Sequence, residues 1–360
     1  MMKPYDIFRL LKINKPMGAL QSVFTHLALK VKQSFYLNKL NNYKQSQAPL
    51  FTPKMLVVMH KSGLGNAIEA TPLVQAIRAL LPKSHITLLV PKGDLFLNWC
   101  VPDAVFTTDE ALQDKTFDHT FFTFTGTSPS TTLNSNVMLG KIYLPKIWQD
   151  KWFLKPERDY NLAMLKPFGK TEPTPPLYVS ITKPTLTIAS SPLRIVLAPC
   201  GRQGVWTPKR WPHFDQLAKL LHEKYPNAQL YIVGTAEDTF PKEIIESLRI
   251  IDYRNQLTLS ETAWLMKQAN LVIGNDSGPM HIADAVQAVG IVIFGPTCQI
   301  KNGPLYKTTV ISSGQEQTLA SQYEEILTTN ETHPSLKAIT PETIIKTADD
   351  ILTTNKASHI

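Results

Sequence analysis

A chain of 360 residues, 43% hydrophobic and 18% charged, has the composition of a soluble globular protein and the length for two domains of ordinary size. No run of eighteen apolar residues occurs, and the N-terminus lacks an apolar core followed by a small-residue cleavage site. Neither a membrane span nor export is expected, and the cytoplasm is the expected location. Cys100, Cys200 and Cys298 lie far apart and the nine histidines form no cluster, so neither a disulfide framework nor a metal site is expected.

The net charge of +8 is unevenly placed. Residues 1–50 carry Lys3, Arg9, Lys12, Lys15, Lys30, Lys32, Lys39 and Lys44 against Asp6 alone, so the remainder is nearly neutral. Within this segment Leu20, Val23, Phe24, Leu27, Val31 and Phe35 recur at steps of three and four and share one helical face. Two readings stay open: a helix packed on the following domain with its lysines solvated, or a basic amphipathic helix lying on an anionic membrane surface. Nucleic acid is not an expected partner, because the body has no basic cluster interleaved with aromatics.

From residue 55 the pattern is α/β. Met55–Met59 reads as a strand, His60–Asn66 as a glycine-bearing turn, Ala67–Leu81 as a helix ended by Pro82, and Ile86–Val90 as the next strand. Phe121–Thr125 is a weaker third strand. Residues 127–190 are rich in Ser, Thr and Pro, with a helical stretch near Glu157–Pro167 and a linker-like run Lys170–Pro176. The pattern then restarts: strand Ile195–Ala198, helix Phe214–Lys224, strand Leu230–Val233, helix Ser260–Gln268. A last helix spans 340–353, with Thr340 as cap and Pro341 in its first turn. Repeated strand–helix–strand units predict parallel sheets covered on both faces, with ligands outside the carboxyl ends of the strands.

The most informative segment is 272–304. The apolar run Leu271–Ile273 stops at Gly274-Asn-Asp-Ser-Gly278, Pro279 opens a helix, and a second apolar run, Ile291–Phe294, ends at Gly295-Pro296. Such a turn aims backbone N–H groups and the positive helix end at one point, which suits a phosphate. By geometry alone, an ordinary strand–helix turn is an equal reading. The series Asp276-Ser-Gly-Pro-Met-His281, Phe294-Gly-Pro-Thr297 and Asn302-Gly-Pro304 closely resembles the donor-site region of the family 9 glycosyltransferases, the ADP-heptose lipopolysaccharide heptosyltransferases and their relatives. Lys209-Arg-Trp-Pro212 matches that family's KRWP signature, and the stretch from Lys155 through Asn161 to Leu165 resembles the helix that ends its N-terminal domain. The resemblance runs from about 55 to 350 and is weakest over 91–150.

The resemblance implies an α/β protein of GT-B architecture: two Rossmann-like domains facing a cleft, preceded by the extra amphipathic segment. Residues 1–50 are the extension, 51–185 the acceptor domain, 186–335 the nucleotide-sugar domain and 336–360 a C-terminal helix and tail. It implies an inverting, metal-independent transferase that needs no cofactor and moves heptose from ADP-heptose to a lipopolysaccharide core or related glycan. Lys209 and the amides of Ser277 and Gly278 would contact donor phosphate, with His281 facing the same phosphates. Asp276 would lie near the donor sugar, and Glu237 (or its neighbour Asp238) near the ribose. Asp276 is equally a helix cap by residue type, and Trp211-Pro212 reads as a packing element.

On the acceptor side the chain departs from the family. The turn Gly63-Leu-Gly65-Asn66 carries Asn where the family carries the Asp proposed as general base, and an amide cannot take a proton at neutral pH. Three explanations stand: Glu69, one helical turn on, serves as base; Asn66 only orients the acceptor while the proton leaves to water or a substrate phosphate; or transferase activity is lost, leaving a nucleotide-sugar-binding module. A GT-B nucleotide-sugar epimerase is the rival enzyme.

Overall fold

A computed structural model describes residues 52–59, 63–108, 110–123, 134–140, 155–186, 188–189, 191–201, 204–312 and 331–357. The basic segment 1–50, with its amphipathic stripe, lies outside them, as do residues 60–62 of the first glycine turn. Among the described residues no helix is long and apolar enough to cross a membrane.

Two parallel sheets form the frame. The first comprises β1 (Met55–Met59), β2 (His85–Leu89), β3 (Ala104–Phe106), β4 (Thr116–Phe122) and β5 (Asn134–Gly140), in the order β3-β2-β1-β4-β5. Helices α1 (Leu64–Ile68) and α2 (Thr71–Leu80) join β1 to β2, and α3 (Glu157–Leu162) lies against α2. The expected single helix over 67–81 is thus two helices. Pro72 lacks an amide, and Thr71 Oγ1 turns back to the Ile68 carbonyl at 2.7 Å, so the first helix stops and a second begins.

The second sheet comprises β6 (Leu193–Ala198), β7 (Ala228–Ile232), β8 (Ile251–Asp252), β9 (Leu271–Asn275), β10 (Gly290–Phe294) and β11 (Thr308–Ser312), in the order β11-β10-β9-β6-β7-β8. Its helices are α4 (Phe214–Lys224), α5 (Lys242–Ser247), α6 (Leu259–Gln268), α7 (Gly278–Ala285) and the single turn α8 (Gln299–Asn302). A short α9 (Pro334–Lys337) leads into α10 (Pro341–Ala357). Numbered within its own domain this order is the dinucleotide-binding one, with the chain reversing direction between β6 and β9. In the first sheet the reversal falls between β1 and β4. Ligand crevices belong at the carboxyl ends of those strands.

Packing follows the sequence pattern. β9 and β10 are buried along their whole length, as their uninterrupted apolar runs require of central parallel strands. On α4 the buried residues are Phe214, Leu217, Ala218 and Leu221, an i, i+3, i+4, i+7 stripe. They share a core with Ile344, Ala348 and Leu352 of α10, so the C-terminal helix is integral to the second domain.

Residues 176–182 cross between the sheets and are tied to each in turn. Gln75 donates to the Pro176 carbonyl, and the amides of Tyr178 and Ser180 donate to Thr71 Oγ1 and the Leu95 carbonyl on the first domain. The amides of Leu177 and Thr182 donate to Tyr306 Oη and the Ser260 carbonyl on the second. Trp99 stacks on Tyr178 with ring centroids 4.6 Å apart. The crossing is therefore a strap, although the Pro-rich run just before it reads as a linker. Replacing Tyr306 with Phe removes the acceptor of the Leu177 amide, and we expect a loss of about 1 kcal/mol in urea unfolding with an unchanged slope.

Candidate active site

Four loops meet at the carboxyl ends of the central strands, and the buried amide of Asn275 holds two of them in place. This side chain ends β9. Its Nδ2 donates to the carbonyls of Pro199 and Cys200 at 3.0 and 3.1 Å, and its Oδ1 accepts the Trp211 amide at 3.0 Å. One Asn thus joins the loop after β6 to the turn after β9. Trp211 is buried edge-on against Phe214 and donates Nε1–H to the Ile339 carbonyl, in keeping with a packing role.

The next residue, Asp276, is 3% exposed. Lys209 Nζ lies 2.8 Å from its Oδ2, and Thr297 Oγ1 donates to the same oxygen. Three residues from separate parts of the sequence therefore converge. Burial alone would raise the Asp276 carboxyl, but the charges of Lys209 and His281, with the two hydrogen bonds, hold it below the ordinary carboxylate range. The amides of Ser277 and Gly278 donate no hydrogen bond among the described residues, and the buried Ser277 hydroxyl is also without one. The N-terminus of α7 thus presents two amide donors and a hydroxyl that no described protein group engages.

The turn after β7 separates two neighbouring acids. Asp238 is buried and engaged by the protein: Thr235 N and Oγ1 donate to one oxygen, Gly201 N and Arg210 Nη1 to the other. Glu237 is exposed on the same turn. Asp238, the alternative to Glu237 for the ribose, is thus engaged within the protein. Gly234 opens this turn at φ 149°, where a Cβ would sit 2.7 Å from Asp238 Oδ2 and 2.8 Å from Cys200 Sγ.

The acceptor-side turn sits on the donor-side helix. Gly65 of α1 lies against His281 of α7, and Gly278 lies against Leu64. The two domains therefore touch at this point, and a cavity of about 10 Å³ is bordered by Asp276, His281 and Asp284. Gly63 is exposed and Asn66 half-buried; Asn66 makes no side-chain hydrogen bond among the described residues. Glu69 is 2% exposed and faces His281, with Oε1 3.5 Å from Nδ1. It faces the imidazole, not solvent, which speaks against a direct role as base in this arrangement.

Asp284 was not singled out by the sequence. It is buried in α7 and accepts the amides of Leu305 and Tyr306 at 2.8 and 3.0 Å, which fixes the chain after Asn302-Gly-Pro304. Burial pushes its carboxyl up to about 6. A further buried bridge, Lys301 Nζ to Glu157 Oε2 at 2.9 Å, joins α8 to α3 across the interface. Neither could be found by pattern, since each pairs residues of one domain or loop with partners set by the fold. Among the described residues no group of three or more His, Cys, Asp or Glu is arranged to hold a metal.

A Cβ on Gly65 would come within 2.3 Å of the His281 ring. Gly65→Ala should therefore unseat α1 from α7 at a cost of about 1–3 kcal/mol. A lowered thermal midpoint with faster amide exchange in both helices is the expected readout.

Comparison with known proteins identifies the family. The model of glycosyltransferase family 9 (heptosyltransferase) matches residues 142–330, more than half of the chain. Lipooligosaccharide heptosyltransferase 2 of Haemophilus influenzae is 27% identical over 206 residues, 53% of this chain and 57% of that one. Lipopolysaccharide heptosyltransferase 1 of Campylobacter coli is 34% identical over 100 residues, 26% of this chain and 29% of that one. The chain thus spans little more than half the length of such relatives, or less. Among solved structures, the Escherichia coli ADP-heptose lipopolysaccharide heptosyltransferase II superposes with TM-score 0.62 at 17% identity, over 84% of this chain and 99% of that one. The family 9 glycosyltransferase of Veillonella parvula gives 0.65 at 19%, over 84% and 98%. These two likenesses establish the two-domain GT-B fold. With the family model covering Asp276, Lys209 and the turns around them, the chain belongs to glycosyltransferase family 9, the heptosyltransferase family.

Proposed function

We propose that the protein is an inverting, metal-independent glycosyltransferase that moves a heptose from ADP-heptose to a lipopolysaccharide core or related glycan. The observation that carries this reading is the Lys209–Asp276 pair beside the unengaged amides of Ser277 and Gly278. Transfer needs a stabilised leaving diphosphate, an oriented donor sugar and an acceptor hydroxyl that loses its proton as it attacks. Lys209, the two amides and the His281 imidazole meet the first need. Asp276, held ionised, is the acceptor for hydroxyls of the donor sugar. Glu237 takes the ribose hydroxyls from its exposed turn.

The acceptor oxygen attacks the anomeric carbon from the face opposite the diphosphate. The new C–O bond forms as the bond to the β-phosphate breaks, and ADP leaves with the negative charge. On the acceptor side, Gly63 and Gly65 shape the turn and Asn66 orients the hydroxyl, whose proton passes to water or a substrate phosphate. Glu69 is assigned a different part because it is buried against His281. The basic extension 1–50 serves to hold the enzyme at the anionic inner face of the membrane where such an acceptor lies.

The direct test is a panel of nucleotide sugars scored by thermal stabilisation, followed by transfer assays in excess chelator. ADP-heptose at about 100 times its dissociation constant should add roughly 2.7 kcal/mol. Transfer should persist with chelator, and Asn66→Asp should raise kcat at least tenfold by supplying a base. Donor binding with no transfer by the unaltered chain to any core acceptor would leave a nucleotide-sugar-binding module. Separately, deleting residues 1–50 should abolish sedimentation with anionic vesicles; unchanged sedimentation would remove the membrane role.

A further inference from the structure

Three carboxylates face His281 from the elements packed around it. Asp276 comes from the turn after β9, Asp284 from its own helix α7, and Glu69 from α1 of the other domain. Two of the three are already engaged. Asp276 is bound by Lys209 and Thr297, and Asp284 accepts the amides of Leu305 and Tyr306. Glu69 is not: both of its oxygens are buried and accept no hydrogen bond, and its ion-pair neighbour is His281 Nδ1 at 3.5 Å. A carboxylate shut away from water without hydrogen bonds is costly unless a cation lies beside it. His281 is that cation only when protonated.

The backbone around Glu69 is held for this contact. Asn161 of α3 donates Nδ2–H to the Glu69 carbonyl at 2.8 Å, fixing the end of α1. Gly65, one turn earlier, leaves room for the imidazole where any side chain would collide. The pair also spans the interface, Glu69 belonging to the first sheet's domain and His281 to the second.

We infer that Glu69 is a positioning residue of the donor site: it keeps a positive charge on His281, so the cationic end of that site is complete only while α1 is seated on α7. This rests on the donor reading given above and adds to it a link between domain closure and phosphate binding. Burial alone would lower the His281 imidazole, but Glu69, with Asp276 and Asp284 behind it, raises it above the ordinary value. Loss of Glu69 leaves only carboxylates that have other partners. His281 then gives up its proton at lower pH, and the diphosphate meets one cation fewer.

The test uses the full chain with and without Glu69→Gln, which keeps shape and removes charge. The His281 imidazole is titrated by NMR in the absence of ligand, and ADP affinity is measured by calorimetry across the same pH range. In the unaltered chain the His281 midpoint should lie above the ordinary imidazole value, and ADP affinity should fall as pH rises through it. In Glu69→Gln the midpoint should drop by at least about one unit, a tenfold change in proton affinity. Its ADP binding should match the unaltered chain in acid and weaken at lower pH than before. Glu69→Asp should restore part of the difference. A midpoint at or below the ordinary value in the unaltered chain overturns the inference even if Glu69→Gln does not fold. So does a midpoint unmoved by the substitution, or ADP binding weakened equally at every pH. No ADP binding by the unaltered chain would instead remove the donor reading, while the ligand-free titration still reports on Glu69.

Discussion

The ionised Asp276 carboxylate, buried at the end of β9, is the constraint around which the site is arranged. A charge in that position needs compensation from its surroundings. Lys209 supplies it from the loop after β6, Thr297 from the loop after β10, and His281 from the first turn of α7. Satisfying one buried charge therefore draws together the three segments that carry the family's motifs. Asn275, next to it, fixes the backbone that makes this convergence repeatable. The central strands supply rigidity, and the loops at their carboxyl ends supply the chemistry.

The same charge cluster reaches across the domain interface. GT-B enzymes act between two domains, and here the contact is made by small residues on both sides, Gly65 against His281 and Gly278 against Leu64. Close approach of the backbones allows Glu69 to reach His281. The Lys301–Glu157 bridge and the strap over 176–182 hold the same closed relation from other points. A site whose charge balance depends on a residue from the opposite domain is one in which closure has a chemical consequence, since His281 carries its charge most firmly when Glu69 is beside it.

Asn66 is the point at which the sequence departs from the pattern that its resemblance to the family implies. A carboxamide at that position can align a hydroxyl but cannot accept its proton. Glu69, one helical turn on, is occupied with the imidazole. The carboxylate one helical turn beyond Asn66 is thus set against α7 at the domain interface and not on the turn itself.

The sequence by itself determined the fold class and the succession of two α/β units. Central parallel strands are buried on both faces, so they appear as apolar runs, and glycine and proline mark where each run ends. The helix Phe214–Lys224 and the strands around the turn after β9 are legible for that reason, as are Lys209 and the Asp276–Gly278 turn, each set in a short motif of its own. Short strands at sheet margins were not legible: β3, β5, β8 and β11 are brief or weakly apolar and form because a neighbour offers an edge. The break between α1 and α2 needed the Thr71 side chain as well as Pro72. The separation of Asp238 from Glu237, the buried role of Asp284 and the pairing of Glu69 with His281 were decided by tertiary structure alone. Each depends on which carboxylate the fold withdraws from water and what it then sets beside it. Residue spacing along a chain carries no record of that choice, because the partners lie in different loops or in different domains.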